Sequence, residues 1–173
     1  MVHWTHTFED RATGWLDDRF HHRFRELTLH AAARHPLICP VYCLMPDHIH
    51  MVWCGVSPNS DQRAAMAWLR TWLKRLAAPA RLQHQPHDHV LNQYEAQGDA
   101  FEQACAYVRE NPVRAGLVGV AAEWKFTGTI VPGYPNLHPK QERLWADYWK
   151  IYPMLVARYE NCPPPSVGGY QTL

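Results

Sequence analysis

Four segments of the chain carry the apolar patterns of β-strands. Their predicted ranges are 2–8, 37–44, 48–55 and 82–91. The dipeptide Pro46-Asp47 separates the second segment from the third, and these residue types favour a tight turn. The pattern therefore predicts that the two middle strands form a hairpin.

Three other segments repeat apolar residues every three or four positions, which predicts amphipathic helices. Their ranges are 17–34, 61–77 and 101–112, and in the first the repeat consists of Phe20, Phe24, Leu27 and Ala31. A third helix after the last strand completes the order β-α-β-β-α-β-α. We therefore predict an α+β fold of the ferredoxin-like, split β-α-β type, with a four-stranded antiparallel sheet and helices on one face.

The last third of the chain differs from the rest in composition. Beyond residue 118 the sequence predicts a loop-rich extension with a short helix near 141–154. Residues 161–173 contain three consecutive prolines and a Gly-Gly pair, so they are predicted to form a disordered tail. With 173 residues, 47% of them hydrophobic, the chain can build one core of ordinary size, which excludes a wholly disordered protein.

The cysteines and the hydropathy of the chain narrow the class of protein further. The five cysteines are odd in number and lack CxxC spacing, which favours free buried thiols over disulfides or a zinc site. Cys39 and Cys43 are expected on one face of their strand. No apolar run approaches the ~18 residues of a membrane span, and the first residues do not resemble a signal peptide, so we expect a cytoplasmic protein.

Two histidines one residue apart open the second strand of the hairpin. In an extended chain His48 and His50 project to the same side, with backbone origins about 6–7 Å apart. That spacing suits one divalent metal ion. The alternative is that both are ordinary core or surface histidines, because a His-x-His triplet arises often by chance.

The predicted helix 101–112 carries a row of polar side chains beside its apolar stripe. Gln103, Tyr107 and Asn111 are four residues apart and therefore share one flank. Tyr107 is expected at the rim of the buried face, where its phenol reaches a cleft. The alternatives are an ordinary half-buried tyrosine and an Asn111 that caps a new turn beginning at Pro112.

Two motifs together point to a family. Met-Pro-Asp-His-Ile-His-Met-Val-Trp at 45–53, followed by Tyr-Val-Arg-Glu-Asn-Pro-Val-Arg-Ala-Gly-Leu-Val at 107–118, resembles the single-tyrosine HUH endonucleases. Among these, the chain resembles the REP-associated tyrosine transposases of bacteria, from the first strand to about residue 152. The resemblance assigns residues 1–118 to a catalytic domain of that type, and 119–160 to an extension packed on it.

The resemblance also implies roles for single residues. In such proteins the histidine pair ligates a divalent cation, and the helix tyrosine attacks a single-stranded DNA phosphodiester, which leaves a 5′-phosphotyrosine link. A polar residue one turn after the tyrosine completes the metal shell. These roles fall on His48 and His50, on Tyr107, and on Asn111. Mg²⁺ or Mn²⁺ is the implied cofactor, although imidazole also tolerates Zn²⁺.

The implied partner is single-stranded or hairpin DNA, bound by a monomer or a homodimer. The net charge of +1 argues mildly against nucleic-acid binding, but residues 62–81 hold five cations and no acid. Arg63, Arg70 and Lys74 share one helical face and are predicted DNA contacts, with a solvated basic face as the alternative. Arg114, in the tyrosine motif, is a further predicted DNA contact.

The sequence is also compatible with two other functions. One is a DNA-binding descendant of a transposase with weak catalysis. The other is an unrelated metal hydrolase that uses His48, His50 and water. A covalent adduct on Tyr107 would distinguish the transposase from the hydrolase. A second His-x-His, at His87 and His89, is interpreted as structural or DNA-contacting.

Overall fold

The computed structural model describes residues 1–90 and 99–160 and contains a five-stranded antiparallel sheet. The strands are β1 (Val2–Thr7), β2 (Leu37–Met45), β3 (His48–Gly55), β4 (His87–Val90) and β5 (Thr127–Ile130). The helices are α1 (Asp18–Arg34), α2 (Gln62–Leu76), α3 (Asp99–Arg114) and α4 (Leu144–Glu160). The strand order is β4-β1-β3-β2-β5, so the strand that carries His48 and His50 lies at the centre.

Local chemistry fixes the starts of the first two helices. Asp17 caps α1, because its carboxylate accepts the backbone N–H of Phe20 at 2.7 Å, and Asp61 caps α2 through the N–H of Ala64 at 2.9 Å. The predicted α+β class with an antiparallel sheet is confirmed, as is the hairpin of β2 and β3. The last residue of the predicted fourth strand, Leu91, and the predicted tail 161–173 lie outside the described residues.

Helices cover both faces of the sheet, so the predicted placement on one face is wrong. α1 and α2 pack on one face, and α3 and α4 pack on the other. Every residue of β2 is buried, which a strand requires when both of its faces are covered. The first layer includes Trp4, Phe24, Met51 and Leu69, and the second includes Val41, Val52, Phe101 and Tyr148.

A bulge in β2 changes the expected placement of its cysteines. The pairing of β2 with β3 shifts register between Ile38 and Val41. As a result Cys39 packs beneath α1 and α2, whereas Cys43 packs on the opposite face, so the prediction that they share a face is wrong. Cys39, Cys43 and the other cysteines in the described part of the chain, at 54 and 105, are free and buried, as predicted.

Residues beyond 118 contribute a strand to the sheet, so β5 is added to the four strands that the sequence predicts. β5 pairs antiparallel with β2, with Thr127 opposite Cys43 and Gly128 opposite Tyr42. A side chain at Gly128 would collide with the Tyr42 hydroxyl, so the closeness of the two strands requires glycine there. α4 is longer than the helix predicted near 141–154, and it packs with α3 on the β3 face that carries His50.

Candidate functional site

The sheet face beneath α3 brings His48 and His50 together. Both side chains project from β3 toward that face, as their spacing predicts. Their Nε2 atoms lie 3.0 Å apart, and their rings are nearly perpendicular, at 89°. Pairing with β1 places Thr7 opposite His48 and Thr5 opposite His50. The two imidazoles thus converge on one point at the centre of the sheet.

The outer ring nitrogens of the pair are held by neighbours. His48 Nδ1 lies 2.6 Å from a carboxylate oxygen of Asp47, whose other oxygen accepts a bond from Arg11 Nε at 2.7 Å. His50 Nδ1 lies 3.1 Å from both Thr5 Oγ1 and His3 Nε2. A carboxylate can only accept, so His48 donates through Nδ1 and carries its lone pair on Nε2.

This arrangement fits a bound cation. Two imidazole nitrogens that each lie about 2.0–2.1 Å from one ion are separated by about 2.9–3.4 Å at the usual coordination angles. The 3.0 Å between the two Nε2 atoms falls in that range. Carboxylate and hydroxyl partners on the outer nitrogens are the usual second layer around metal-bound histidines. His48 and His50 are therefore the residues that could hold the ion.

Burial keeps His50 in the form that binds metals. Removal from water, together with the neighbouring rings of His48 and His3, lowers the pKa of His50 to about 3. The imidazole is consequently neutral at physiological pH, and a neutral imidazole can donate a lone pair to a cation.

Tyr107 stands beside this pair on α3. Its ring centroid lies 6.4 Å from that of His50 and 6.3 Å from that of His3, both in edge-to-face orientation. The side chain is 44% exposed, so the phenol is open to a ligand approaching the histidines. The guanidinium of Arg114 lies over the Tyr107 ring, 4.7 Å from its centroid. Tyr107 thus lies at the rim of the buried face, as the sequence predicts.

Asn111 is buried, and its side chain binds its own helix. Nδ2 donates to the carbonyl of Tyr107 at 3.0 Å and to that of Val108 at 3.4 Å. Pro112 has no N–H to give to the Val108 carbonyl, so the Asn111 amide supplies a donor that the helix would otherwise lack. α3 continues through Pro112 to Arg114 instead of restarting there. A metal ion would need the other atom of this amide, Oδ1.

The prediction that Arg70 is an exposed DNA contact is wrong. Its side chain is buried, and it donates to His6 Nδ1 at 2.7 Å and to the carbonyls of Gln83 and His84 at 2.6 and 3.2 Å. Sequence spacing placed Arg70 with Arg63, but the segment leading into β4 covers it. Arg70 therefore ties that segment to β1 and α2.

The other predicted DNA contacts are exposed but lie on different faces of the molecule. Arg63 and Lys74 belong to α2, which packs on the sheet face opposite His48 and His50. Arg114 lies beside Tyr107 on the site face. Of these cations, the structure brings Arg114 to Tyr107 and leaves Arg63 and Lys74 on the opposite side of the sheet.

Four residues around the pair were not singled out as site residues from the sequence. His3 and Thr5 reach His50 only through the pairing of β1 with β3, which is a long-range contact. Arg11 reaches Asp47 from the short helix after β1. For Asp47 the sequence favours a turn former over a residue that orients His48, and the structure has its carboxylate 2.6 Å from His48 Nδ1. Alternating polar residues in β1 were the available signal for His3 and Thr5.

In residues 1–90 and 99–160, no group of three His, Cys, Asp or Glu side chains is arranged to hold a metal ion. No helix within those same ranges is long and apolar enough to cross a membrane.

Comparison with solved structures supports the fold described above. The molecule belongs structurally to the α+β proteins with an antiparallel sheet, and within them it shares its fold with a tyrosine transposase. The match is to the structure of a REP-associated tyrosine transposase bound to a REP hairpin, with a TM-score of 0.61 and 16% sequence identity. It covers 73% of this chain and 74% of that chain. No family model matches the sequence, and no curated protein matches it.

Proposed function

We propose that this protein is a metal-dependent endonuclease and strand transferase for single-stranded, hairpin-forming DNA. The observation that carries the proposal is the exposed Tyr107 phenol beside two imidazoles whose Nε2 atoms converge to 3.0 Å. A nucleophile, a cation-binding pair and an arginine on one open surface are the parts that phosphodiester cleavage needs. The shared fold with a transposase bound to a REP hairpin supports the choice of DNA.

Tyr107 is the proposed nucleophile. Its Oη would attack the phosphorus and lose its proton to solvent, while the bond from phosphorus to the 3′ oxygen breaks. The 3′ oxygen takes up a proton and leaves as a hydroxyl, and the 5′ end stays linked to Tyr107. The phosphotyrosine ester keeps the phosphate activated, so attack by another 3′-hydroxyl would join a new strand. Cleavage and rejoining are thus the forward and reverse directions of the same phosphoryl transfer.

His48 and His50 are the proposed cation ligands, and Asn111 is a weaker candidate. Asp47 orients His48, while His3 and Thr5 orient His50, so both Nε2 atoms face the same point. A bound Mg²⁺ or Mn²⁺ would polarise the scissile phosphate and neutralise charge on its oxygens. The two imidazoles also suit Zn²⁺, so the metal remains to be chosen by measurement.

Arg114 is the proposed phosphate contact nearest the nucleophile. Its guanidinium lies over the Tyr107 ring and is solvent-exposed, so it can pair with a phosphate that approaches the phenol. Arg63 and Lys74 remain predicted contacts for more distant parts of the DNA. A cytoplasmic location and a monomeric or homodimeric state also remain predictions.

One observation favours a second candidate, a DNA-binding protein with weak catalysis. Among the described side chains, the histidine pair has no third His, Cys, Asp or Glu ligand, and the Asn111 amide nitrogen is bonded to its own helix. Weak cation binding would lower cleavage without removing DNA affinity.

The two candidates are separated by a cleavage assay. End-labelled hairpin DNA with a single-stranded flank is incubated with the protein and Mn²⁺ or Mg²⁺, then separated on a denaturing gel. The endonuclease gives a protein-linked strand that protease treatment converts to a faster band, and chelation of the metal removes it. Hairpin binding without that band would favour the DNA-binding candidate. Cut DNA without a protein link would favour hydrolysis by water.

A further inference from the structure

A groove of about 480 Å³ runs between α1 and α2, on the side of the molecule opposite the histidine pair. Both helices pack their apolar faces onto the sheet, so the groove lies along their outer surfaces. Its lining combines aromatic, basic and aliphatic side chains. They are Arg23, Glu26, Leu27, His30, Trp68 and Trp72.

Two tryptophans form the floor of this groove, and each has an arginine over its ring. Trp68 and Trp72 are one helical turn apart, with ring centroids separated by 6.1 Å. The Arg34 guanidinium lies 5.8 Å from the Trp68 ring centroid, and that of Arg75 lies 5.0 Å from the Trp72 ring centroid. Trp72 is 40% exposed, so a large apolar surface remains in contact with water.

The charge around the tryptophans is positive. The cations over the two indole rings are Arg34 and Arg75, and the one carboxylate in the groove lining, Glu26, is paired with Arg23. At 100° per residue, Trp68, Trp72 and Arg75 lie within about 60° of one another around α2. Arg63 and Lys74 lie on the other flank of the helix. The aromatic flank thus has its own cations and suits an anionic ligand with flat rings.

We propose that this groove binds single-stranded DNA, with bases stacked on Trp68 and Trp72 and phosphates paired with Arg34 and Arg75. Aromatic platforms beside cations are how proteins hold unpaired nucleotides without reading their sequence. A duplex hides its base faces within the stack, so only unpaired bases can reach the indoles. The inference rests on the proposed function for the choice of DNA. It adds a second contact for the flanking strand, away from Tyr107.

Equilibrium binding tests the groove separately from cleavage. The protein carries Tyr107→Phe, the buffer contains a chelator, and the probe is a fluorescent oligothymidylate of about 12 nucleotides, within the usual range of single-strand sites. Trp72→Ala is expected to weaken binding about tenfold, because loss of one stacking platform typically has an effect of that size. Trp72→Phe keeps an aromatic face and should restore most of the affinity. Arg75→Ala should lower the slope of log K against log salt by about 0.7.

Trp149→Ala is the matched control. Trp149 is also 40% exposed, but it lies on α4 and donates to Glu102. This control should bind within about twofold of the parent. Equal binding by Trp72→Ala and the parent would overturn the proposal, as would an equal loss in Trp149→Ala or equal affinity for a duplex of the same length. If the protein with Tyr107 intact forms no covalent adduct with hairpin DNA while the Trp72 effect holds, the proposed function fails and the groove stands.

Discussion

Each face of the central sheet buries a histidine, and the two histidines differ in what their ring nitrogens contact. On the site face, the Nε2 atom of His50 points at the Nε2 atom of His48. On the opposite face, His6 Nδ1 accepts a bond from Arg70, and His6 Nε2 has no hydrogen-bond partner among the described residues. Burial lowers the pKa of both histidines to about 3.

A lowered histidine pKa does not distinguish the candidate site from the opposite face. A lowered histidine pKa reports burial, and both faces have it. Convergence of two nitrogens beside an exposed phenol occurs on the site face, where a phosphate can enter. The His6–Arg70 pair instead joins three segments of the chain, so its expected role is in stability.

The largest expected effect is the loss of cleavage in His50→Ala. Removal of a proposed cation ligand should lower hairpin cleavage more than about 100-fold, a loss larger than that from a typical outer-layer substitution. Binding to hairpin DNA and the thermal melting curve should change little. His22→Ala, which removes an exposed histidine of α1, should cleave like the parent. Undiminished metal-dependent cleavage by His50→Ala would rule out the assigned pair.

On the opposite face, Arg70→Ala should destabilise the protein. It removes donors from His6 Nδ1 and from two backbone carbonyls, which should lower the free energy of unfolding by about 2–4 kcal/mol. Urea denaturation measures this, with Arg63→Ala as an exposed control expected within about 0.5 kcal/mol of the parent. If Arg70→Ala proves as stable as Arg63→Ala, the contrast between the two faces is wrong.

Acid should destabilise the fold through His6. Its pKa in the folded protein is about 3, below the 6.5 of an ordinary histidine, so below pH 6.5 the unfolded chain takes up a proton that the folded chain excludes. The stability from this group is complete above pH 6.5 and is lost as pH falls toward 3. Between pH 7 and 5 the loss should be about 2 kcal/mol. In urea titrations at both pH values, His6→Gln should reduce the difference, and an unchanged difference would exclude His6 as its source.

The smallest expected effect concerns Asn111, on the site face. Asn111→Ala leaves the Val108 carbonyl without a donor and should lower the free energy of unfolding by about 1–2 kcal/mol, with a smaller loss of cleavage than His50→Ala. Asn111→Asp separates the two proposed roles, because it keeps a ligand oxygen and loses the donor. Weakened stability in both variants, with Mn²⁺ affinity reduced in Asn111→Ala and kept in Asn111→Asp, would assign both roles to this residue. Normal stability would contradict the helix role that the structure indicates.

Local patterns explain most of what the sequence predicted. The turn at Pro46-Asp47, the helix starts near Asp17 and Asp61, and the same-side placement of His48 and His50 all depend on neighbouring residues. The features that the sequence did not predict, or predicted wrongly, depend on residues that are distant along the chain. β5 is only four residues long and contains Gly128, which fits because Tyr42 lies against it.

The same reasoning applies within the site. Helical spacing predicts Tyr107 and Asn111 on one flank; in α3 Tyr107 is exposed beside the histidines, whereas Asn111 is buried and bonded to its own helix. Spacing also put Arg70 with Arg63, but the chain between Leu82 and β4 buries Arg70. His3 and Thr5 became neighbours of His50 through strand pairing. The spacing of residues within a single helix or strand does not predict such contacts between strands.

The most direct test of the account is the identity of the residue that becomes linked to DNA. The parent protein is incubated with hairpin DNA and Mn²⁺, the adduct is digested with protease and nuclease, and the modified peptide is sequenced by mass spectrometry. The account predicts a nucleotide on Tyr107 and none with Tyr107→Phe, which loses one oxygen and keeps its ring. Tyr134→Phe, a control on a half-buried tyrosine after β5, should form the adduct normally. A nucleotide on any other residue, or cleavage by Tyr107→Phe, would contradict the proposed mechanism.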